Sequence, residues 1–303
     1  GQQAGKVYRL GYLGITRPRA RSAAYEALVA GLRELGYVAG KNLVIEERYA
    51  DGRPERYDEL AAELVALRVD SIVTVGMPAA LAAKRATSTI PIIMAVSEDP
   101  VAAGLAASLV RPGGNVTGFT RDVGLDVMVK NLQLLKEAVP KASRVGVLFH
   151  PDSNTGMDRL EAGAAALSIT LRPLGVRSAD DISRAFVTMS RDTLDALLVL
   201  GNVVAVAHRQ LIVDLSAVRR LPAMYSWRQP VVEGGLMGYG PDFTDVYRRA
   251  AAYVGKVFGG ANPGELPIQQ PTKFELVINL RTAKALGLTI PPSLLLRADQ
   301  VIE

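Results

Sequence analysis

The chain has 303 residues, of which 49% are hydrophobic and 21% are charged, so it is long enough for one large or two medium domains. It contains no cysteine, which excludes a disulfide scaffold, a thiolate metal site and a thiol nucleophile. The net charge is +5, but Lys and Arg are spread along the chain with acidic residues close by. This distribution favours a solvated surface over nucleic-acid binding.

Strand-like and helix-like segments alternate from the beginning of the chain. Apolar or alternating runs predict strands, and apolar residues that recur every three to four positions predict helices. The predicted strands of the first part lie at residues 7–13, 43–49, 71–75, 91–96 and 115–119. The predicted helices lie at residues 22–35, 54–67 and 78–87, and a helical pattern also follows Pro100.

After Thr120 the same alternation begins again. The predicted strands lie at residues 144–149, 169–176, 195–200, 222–225 and 236–239. The predicted helices lie at residues 125–139, 180–191, 204–219, 242–258 and 280–286, with a further helix that ends near residue 167. The segment 266–279 is expected to be extended, and the proline-rich tail, residues 290–303, is expected to pack on a surface.

Strands that alternate with helices predict right-handed crossovers and parallel sheets. Because the pattern occurs twice, we expect an α/β protein with two doubly wound, Rossmann-like parallel-sheet lobes. The helix at 242–258 follows the complete second unit, so we expect it to return to the first lobe. Lobe 1 is predicted at residues 1–118 plus about 241–270, and lobe 2 at residues 119–240 plus about 271–303.

Motifs that carry catalysis are missing from the sequence. It has no dinucleotide-binding G-x-G-x-x-G after its first strand, no P-loop and no G-x-S-x-G elbow. Its two histidines, His150 and His208, are far apart in sequence, and without cysteine a catalytic zinc site is not expected. We therefore expect a binding protein without enzymatic activity, cofactor or metal.

Polar and aromatic residues recur where the predicted strands of both lobes end. Ligands of open α/β sheets bind beside the carboxyl ends of the strands, so the repeated placement favours a ligand held between the lobes. Taken singly, Asp99 and Asn154 fit helix caps equally well. The candidate ligand-binding residues are Thr16, Arg17, Gly76, Met77, Ser97, Asp99, Thr120, Asn154, Asn202, Tyr225, Trp227 and Tyr239.

The residue types suggest what the ligand contains. Arg17, with Arg19 and Arg21 nearby, can pair with a carboxylate because the guanidinium fork matches that group. The aromatic candidates of lobe 2 can form an apolar wall. An amino acid or an aromatic acid is the expected ligand, and the alternative for residues 17–21 is a solvated, arginine-rich loop.

Four long segments, residues 32–56, 77–92, 99–120 and 234–303, resemble a known family. The sequence is similar to the periplasmic substrate-binding proteins of ABC importers with the type I periplasmic-binding-protein fold, and among them to the tryptophan/tyrosine-type proteins. The closing run FELVINLRTAKALGLTIPPSLLLRAD is highly specific. The resemblance implies two lobes joined by a three-crossing hinge, a ligand cleft between them, export to the periplasm and delivery of the ligand to the membrane subunits of a permease.

The resemblance places the family's cleft residues unevenly on this chain. The implied cleft residues are Thr16, Gly76, Asp99, Asn154, Tyr225 and Tyr239. Two loops depart from the family pattern: the first reads ITRPRAR in place of small residues, and the second-lobe loop at 201–203 reads Gly-Asn-Val in place of a Pro-Asp-Pro-like turn. The ligand therefore does not follow from the resemblance.

The expected function is that of a monomeric extracytoplasmic solute receptor that binds a small organic molecule and no nucleic acid. The main alternative is a ligand-sensing, signalling ectodomain of the same fold. The effector core of a transcriptional regulator would need an N-terminal helix-turn-helix, which is not expected because six residues precede the first strand. An enzyme would need a cofactor fingerprint or a nucleophile with its base.

Overall fold

A computed structural model describes residues 6–17, 22–121, 124–152, 157–192 and 194–303, without the side chains of 124–125 and 190–192. The chain forms two compact units. Unit 1 comprises Gly1–Asp122 and Phe243–Thr272, and unit 2 comprises Val123–Asp242 and Lys273–Glu303. The chain therefore passes from one unit to the other three times.

Unit 1 is built on a five-stranded sheet with the order β2-β1-β3-β4-β5, in which every neighbouring pair is parallel. Its strands, numbered along the chain, are β1 (Tyr8–Gly14), β2 (Leu43–Tyr49), β3 (Ser71–Val75), β4 (Ile92–Val96) and β5 (Val116–Gly118). Its helices are α1 (Ala23–Glu34), α2 (Tyr57–Ala66), α3 (Met77–Ala86) and, from the second segment, α10 (Phe243–Phe258). Short 3-10 turns lie at Pro54–Arg56 and Pro263–Glu265.

Local sequence explains how these elements form. α1 begins where the Ser22 hydroxyl accepts a hydrogen bond from the Tyr25 N–H at 3.2 Å. The apolar stripe of α1 is buried at Leu28 and Leu32. Residues of β3 are buried on both faces, as the central strand of a helix-covered parallel sheet requires. α10 packs against α1, and together they cover one face of the sheet.

Unit 2 is built on a seven-stranded sheet with the order β12-β11-β10-β9-β8-β6-β7. Its strands are β6 (Arg144–Phe149), β7 (Thr170–Gly175), β8 (Ala196–Val199), β9 (Ala223–Tyr225), β10 (Met237–Pro241), β11 (Phe274–Asn279) and β12 (Gln300–Ile302). Its helices are α4 (Gly124–Ala138), α5 (Met157–Ala166), α6 (Ala179–Asp192), α7 (Val203–Ala207), α8 (Arg209–Val218), α9 (Gln229–Val232), α11 (Leu280–Leu286) and α12 (Pro292–Leu295). The α/β class with two doubly wound units is thus confirmed.

Two predictions about unit 2 were wrong in detail. β10 and β11 pair antiparallel, so the second sheet is mixed, whereas the sequence predicted parallel sheets. The chain between β10 and β11 contributes its helix, α10, to unit 1, so no crossover helix packs on the unit 2 sheet between these two strands, as a parallel pair would need. The tail does not only pack on a surface, because it adds the edge strand β12 parallel to β11.

Two predicted helices also differ. The apolar pattern after Pro100 forms turns at residues 100–104 and no helix as far as β5. The Asp99 carboxylate accepts the N–H groups of Val101 and Ala102 at 3.1 and 3.0 Å, as a helix cap does, but Gly104, with a φ of +71°, ends the turn after one round. The predicted helix at 204–219 is broken at His208, whose φ of −110° and ψ of 25° separate α7 from α8.

In unit 2, the carboxylate of Asp195 fastens the start of β6. It accepts the N–H groups of Ser143 and Arg144 at 2.8 and 2.9 Å and the Ser143 hydroxyl at 3.0 Å. Burial alone would raise the pKa of Asp195, but these hydrogen bonds outweigh it and hold the pKa below its ordinary value. The resulting stability is present above the unfolded pKa near 3.8 and is lost as the pH falls through the lower folded value.

We expect Asp195→Ala to lower the stability of unit 2 by about 1–3 kcal/mol at pH 7, because two N–H groups lose a charged acceptor. Urea unfolding can be followed by the fluorescence of Trp227, the single tryptophan of the chain, which lies in unit 2. The difference from the wild type should shrink below pH 4, while Glu161→Ala on the exposed face of α5 should change little. A difference that stays constant down to pH 3 would contradict the role of the carboxylate.

Candidate ligand-binding site

The carboxyl ends of the parallel strands in unit 1 gather several of the predicted residues at one edge of the sheet. Thr16 and Arg17 follow β1, Gly76 and Met77 follow β3, and Ser97 follows β4. The loops after β3 and β4 are joined by a hydrogen bond from the Gly76 N–H to the Val96 carbonyl at 2.7 Å. These residues therefore lie at one edge of the sheet, but their side chains differ in accessibility.

The loop after β1 presents Arg17 to solvent. Its guanidinium lies 5.5 Å from the centroid of the Tyr49 ring, and its backbone N–H donates to the Asp51 carboxylate at 3.1 Å. Among the described residues, no carboxylate lies within ion-pair distance of the guanidinium. Thr16 beside it is half-buried. This loop therefore offers a cation and a hydroxyl to a bound molecule.

The junction of β3 and α3 is occupied by Glu98. The Glu98 carboxylate accepts the Met77 N–H at 3.3 Å, where a carboxylate satisfies an otherwise unpaired donor at the helix N-terminus. It also lies 3.3 Å from Nε of Arg121. Ser97 is fully buried, and its hydroxyl contacts the Met77 sulfur at 3.6 Å, so it packs against this junction from the interior of the unit.

Thr120 and Asp99 act mainly within the loop after β4. The buried Thr120 hydroxyl donates to the carbonyl oxygens of Ser97 and Glu98 at 3.1 and 2.8 Å. Asp99 is exposed, but its carboxylate caps the turn that follows Pro100. Both residues therefore hold the shape of this edge.

In unit 2, three of the predicted residues have buried side chains. Asn202 caps α7, since its Oδ1 accepts the Ala205 N–H at 2.9 Å and its Nδ2 donates to the Leu200 carbonyl. The Tyr225 ring is fully buried, and burial raises the pKa of its hydroxyl well above the usual range. Trp227 is 6% exposed and meets Tyr225 edge to face, with centroids 6.0 Å apart.

Tyr239 is the predicted aromatic residue of unit 2 that stays partly open. It lies on β10 and stacks on Phe274 of β11, with ring centroids 5.9 Å apart and planes at 26°. Burial raises the pKa of its hydroxyl. Beside this pair, burial also raises the pKa of Glu275, which lies 3.9 Å from the Arg228 guanidinium. Asn154, Arg19 and Arg21 lie outside the described residues.

Two residues at the end of β2, Glu47 and Tyr49, were not among the predicted site residues. The Tyr49 ring contacts the Arg17 guanidinium, and the Tyr49 hydroxyl donates to Glu47. The signal was present, because Tyr49 is the last residue of a strand that the alternation pattern delimits correctly. Sequence reasoning also left Glu98 out of the ligand set and assigned the acidic turn to Asp99.

The edge of the unit 1 sheet carries groups that can bind a small molecule. Within the described ranges, no group of His, Cys, Asp and Glu side chains is arranged to hold a metal ion. No helix in the same ranges is both long and apolar enough to cross a membrane. At this edge Arg17 is exposed and Thr16 is half-buried, and a guanidinium and a hydroxyl recognise ligands by charge and hydrogen bonding.

Comparison with known proteins agrees with this geometry. The tyrosine-binding protein of Clostridioides difficile is 28% identical over 268 residues, which cover 88% of this chain and 76% of that protein. A crystal structure of a conserved domain protein from Vibrio cholerae is 28% identical, covers 98% of this chain and 100% of the other, and has a TM-score of 0.88. The structure of an ABC domain in complex with L-Trp from Streptococcus pneumonia is 26% identical, with the same coverage and a TM-score of 0.87.

Solute-binding proteins of lower identity share this fold, so its assignment to the periplasmic-binding type is confirmed. The comparisons favour a transport receptor over the signalling alternative. A family model described as ABC transporter substrate binding protein matches residues 14–302, nearly the whole chain. The chain therefore belongs to the family of ABC transporter substrate-binding proteins, which are extracytoplasmic receptors that bind small molecules for a permease.

Proposed function

We propose that this protein is the receptor of an importer for an aromatic amino acid. The observation that carries the ligand class is the exposed Arg17 guanidinium at the carboxyl edge of unit 1, which has no carboxylate partner among the described residues. A ligand carboxylate would supply that partner through a two-pronged hydrogen bond. Relatives at 26–28% identity whose names give tyrosine and L-Trp as ligands support the choice of an aromatic side chain.

The two compact units are the lobes of the receptor in this proposal, and the three chain crossings between them form its hinge. Thr16, Arg17 and the α3 junction contribute from unit 1, whereas Tyr239 with Phe274 offers an aromatic surface in unit 2. Asn154 remains part of the proposed set. Ser97, Thr120, Asn202, Tyr225 and Trp227 shape the loops from inside, which suits their buried side chains.

The receptor is further proposed to be a periplasmic monomer without catalytic activity or cofactor, which hands its ligand to the membrane subunits of a permease. Light scattering during size-exclusion chromatography tests the monomer. Incubation with the bound amino acid followed by mass spectrometry tests for turnover. Recovery of the ligand unchanged is the expected result, and any product would return an enzyme to consideration.

A thermal-shift and calorimetry screen tests the ligand class. A ligand at about 100 times its Kd adds roughly 2.7 kcal/mol to the stability of the folded state. L-Trp, L-Tyr and L-Phe should therefore raise the Tm by roughly 5–10 °C, and their D-enantiomers, L-Glu, L-Leu and ribose should raise it less. Stabilisation by a sugar or by an aliphatic amino acid, with no response to the aromatic set, would refute the proposal.

A further inference from the structure

The loop that carries Arg17 is tied to the neighbouring loop on both sides. The Arg17 N–H donates to Oδ1 of Asp51 at 3.1 Å, and the Gly52 N–H donates to the Ile15 carbonyl at 3.2 Å. These two hydrogen bonds fix the backbone at Arg17 to the loop after β2, while the guanidinium remains exposed. What fixes the direction of the guanidinium is the side chain beneath it.

Tyr49 provides that support. Its ring centroid lies 5.5 Å from the guanidinium carbon of Arg17, within the range of a cation–π contact. The ring is 8% exposed, and its hydroxyl donates to Oε2 of Glu47 at 3.0 Å. A buried ring with a bonded hydroxyl has little freedom, so it offers the Arg17 guanidinium a fixed surface to contact.

Glu47 connects this ring to α1. Its second carboxylate oxygen accepts a hydrogen bond from the Tyr25 hydroxyl. Tyr25 meets the Tyr12 ring edge to face, with centroids 5.1 Å apart, and Tyr12 in turn lies 5.9 Å from Tyr49. The carboxylate also draws the Tyr49 hydroxyl proton towards itself, which makes the ring more electron-rich and a better partner for a cation.

Gly14, the last residue of β1, makes room for this arrangement. A Cβ at Gly14 would lie 2.8 Å from the Tyr49 ring and 2.9 Å from the Tyr12 ring, closer than side-chain carbons approach. Any larger residue would push Tyr49 away from its place under the loop. The strand end is thus shaped to keep the ring below Arg17.

We propose that Glu47 and Tyr49 are positioning residues that aim Arg17 at the carboxylate of the ligand, so that the receptor selects molecules with a free carboxyl group. This inference rests on the proposed function, because the ligand is taken to be an aromatic amino acid. It adds that Arg17 recognises the carboxyl group of the ligand, which the decarboxylated amine lacks. It also names Glu47 and Tyr49 as the side chains that set the position of the guanidinium. A pre-aimed guanidinium loses less freedom on binding than a mobile one.

The test is isothermal calorimetry with matched pairs, L-Trp against tryptamine and L-Tyr against tyramine. We expect Arg17→Gln and Tyr49→Leu to weaken binding of the acids more than tenfold and binding of the amines less than threefold. Tyr49→Phe keeps the ring but loses the bond to Glu47, so it should cause a loss of about three- to fivefold. Arg53→Gln, an exposed arginine in the loop after β2, is the control and should change neither affinity.

The double variant Arg17→Gln/Tyr49→Leu should bind the acids no more weakly than Arg17→Gln alone, since the ring acts through the guanidinium. Thermal unfolding of each variant checks folding, and Arg17→Gln decides the result if Tyr49→Leu does not fold. Equal losses for acid and amine, or an unchanged affinity in Arg17→Gln, would overturn the inference and leave the proposed function standing.

Failure of the wild type to bind any aromatic amino acid would overturn the proposed function and the carboxylate selection together. The positioning of Arg17 by Tyr49 can then be tested without a ligand, by NMR relaxation of the Arg17 Nε–H group. A restrained group in the wild type that becomes mobile in Tyr49→Leu supports positioning by Tyr49. A group that is equally mobile in both proteins refutes it.

Discussion

Replacement of Gly118 by Ala is expected to destabilise unit 1 by about 4 kcal/mol or more. Gly118 ends β5 with a φ of +123°, and a Cβ there would lie 2.2 Å from the Met94 carbonyl oxygen and 2.6 Å from the Met94 nitrogen. These are backbone atoms of the neighbouring strand, so they cannot rotate away. The Phe119 N–H, which donates to the same carbonyl at 2.7 Å, would lose its partner as β5 moves from β4.

Calorimetry should show the transition of unit 1 at a Tm lower by roughly 8–16 °C. Hydrogen exchange measured by mass spectrometry should be faster in peptides from β4 and β5. Gly36→Ala is the matched control, because Gly36 also has a positive φ, +88°, but a Cβ there has nothing within 4 Å. It should cost only about 1–2 kcal/mol. Equal losses in the two variants would show that conformation alone, and not the close approach to Met94, requires glycine.

The second large effect is expected for Phe119→Ala. Phe119 is fully buried, its ring lies 5.0 Å from the Tyr253 ring, and the Arg249 guanidinium lies 4.9 Å from its centroid. Arg249 also donates to Gln269 and to the Thr272 hydroxyl, so the ring supports a side chain that joins α10 to the segment leaving unit 1. Loss of the ring leaves a cavity among these groups and should cost about 3–5 kcal/mol.

The measurement is again the calorimetric transition of unit 1, with hydrogen exchange in peptides that contain residues 245–272. Phe119→Leu keeps much of the volume and should cost less than about 1.5 kcal/mol. Val110→Ala in the same unit serves as the surface control, because Val110 is 72% exposed and its truncation should change stability by about 0.5 kcal/mol or less. A small loss for Phe119→Ala would mean that Arg249 and Tyr253 close the gap.

Much of the candidate site in unit 1 was predictable because it depends on strand ends. Parallel strands finish at one edge, so Arg17, Met77 and Ser97 had to come together once their strands were recognised. What each side chain does there was not predictable. Whether Ser97 faces solvent or the Met77 sulfur depends on packing between two loops that are distant in sequence.

The aromatic residues of unit 2 show the same limit. Tyr225 ends β9 and Trp227 follows it, where a wall for a ligand would lie, yet both rings are buried. Tyr239, the third residue of β10, is partly open and stacks on Phe274 of β11, a strand that the sequence predicted only as extended chain. Whether a side chain on a strand is buried or exposed depends on which strands pair with it, and the hydrophobic periodicity of the sequence does not show that pairing.

The sequence by itself determined the α/β class, the repeated unit and most strand and helix bounds, because hydrophobic periodicity, caps and glycine turns act over a few residues. β2 and α11, for instance, begin and end at the predicted residues. Only the tertiary structure decided the antiparallel β10–β11 pair, the turns in place of a helix after Pro100, and the place of Glu47 and Tyr49 beneath Arg17. These features depend on contacts between segments far apart in the chain, and such contacts leave no local pattern.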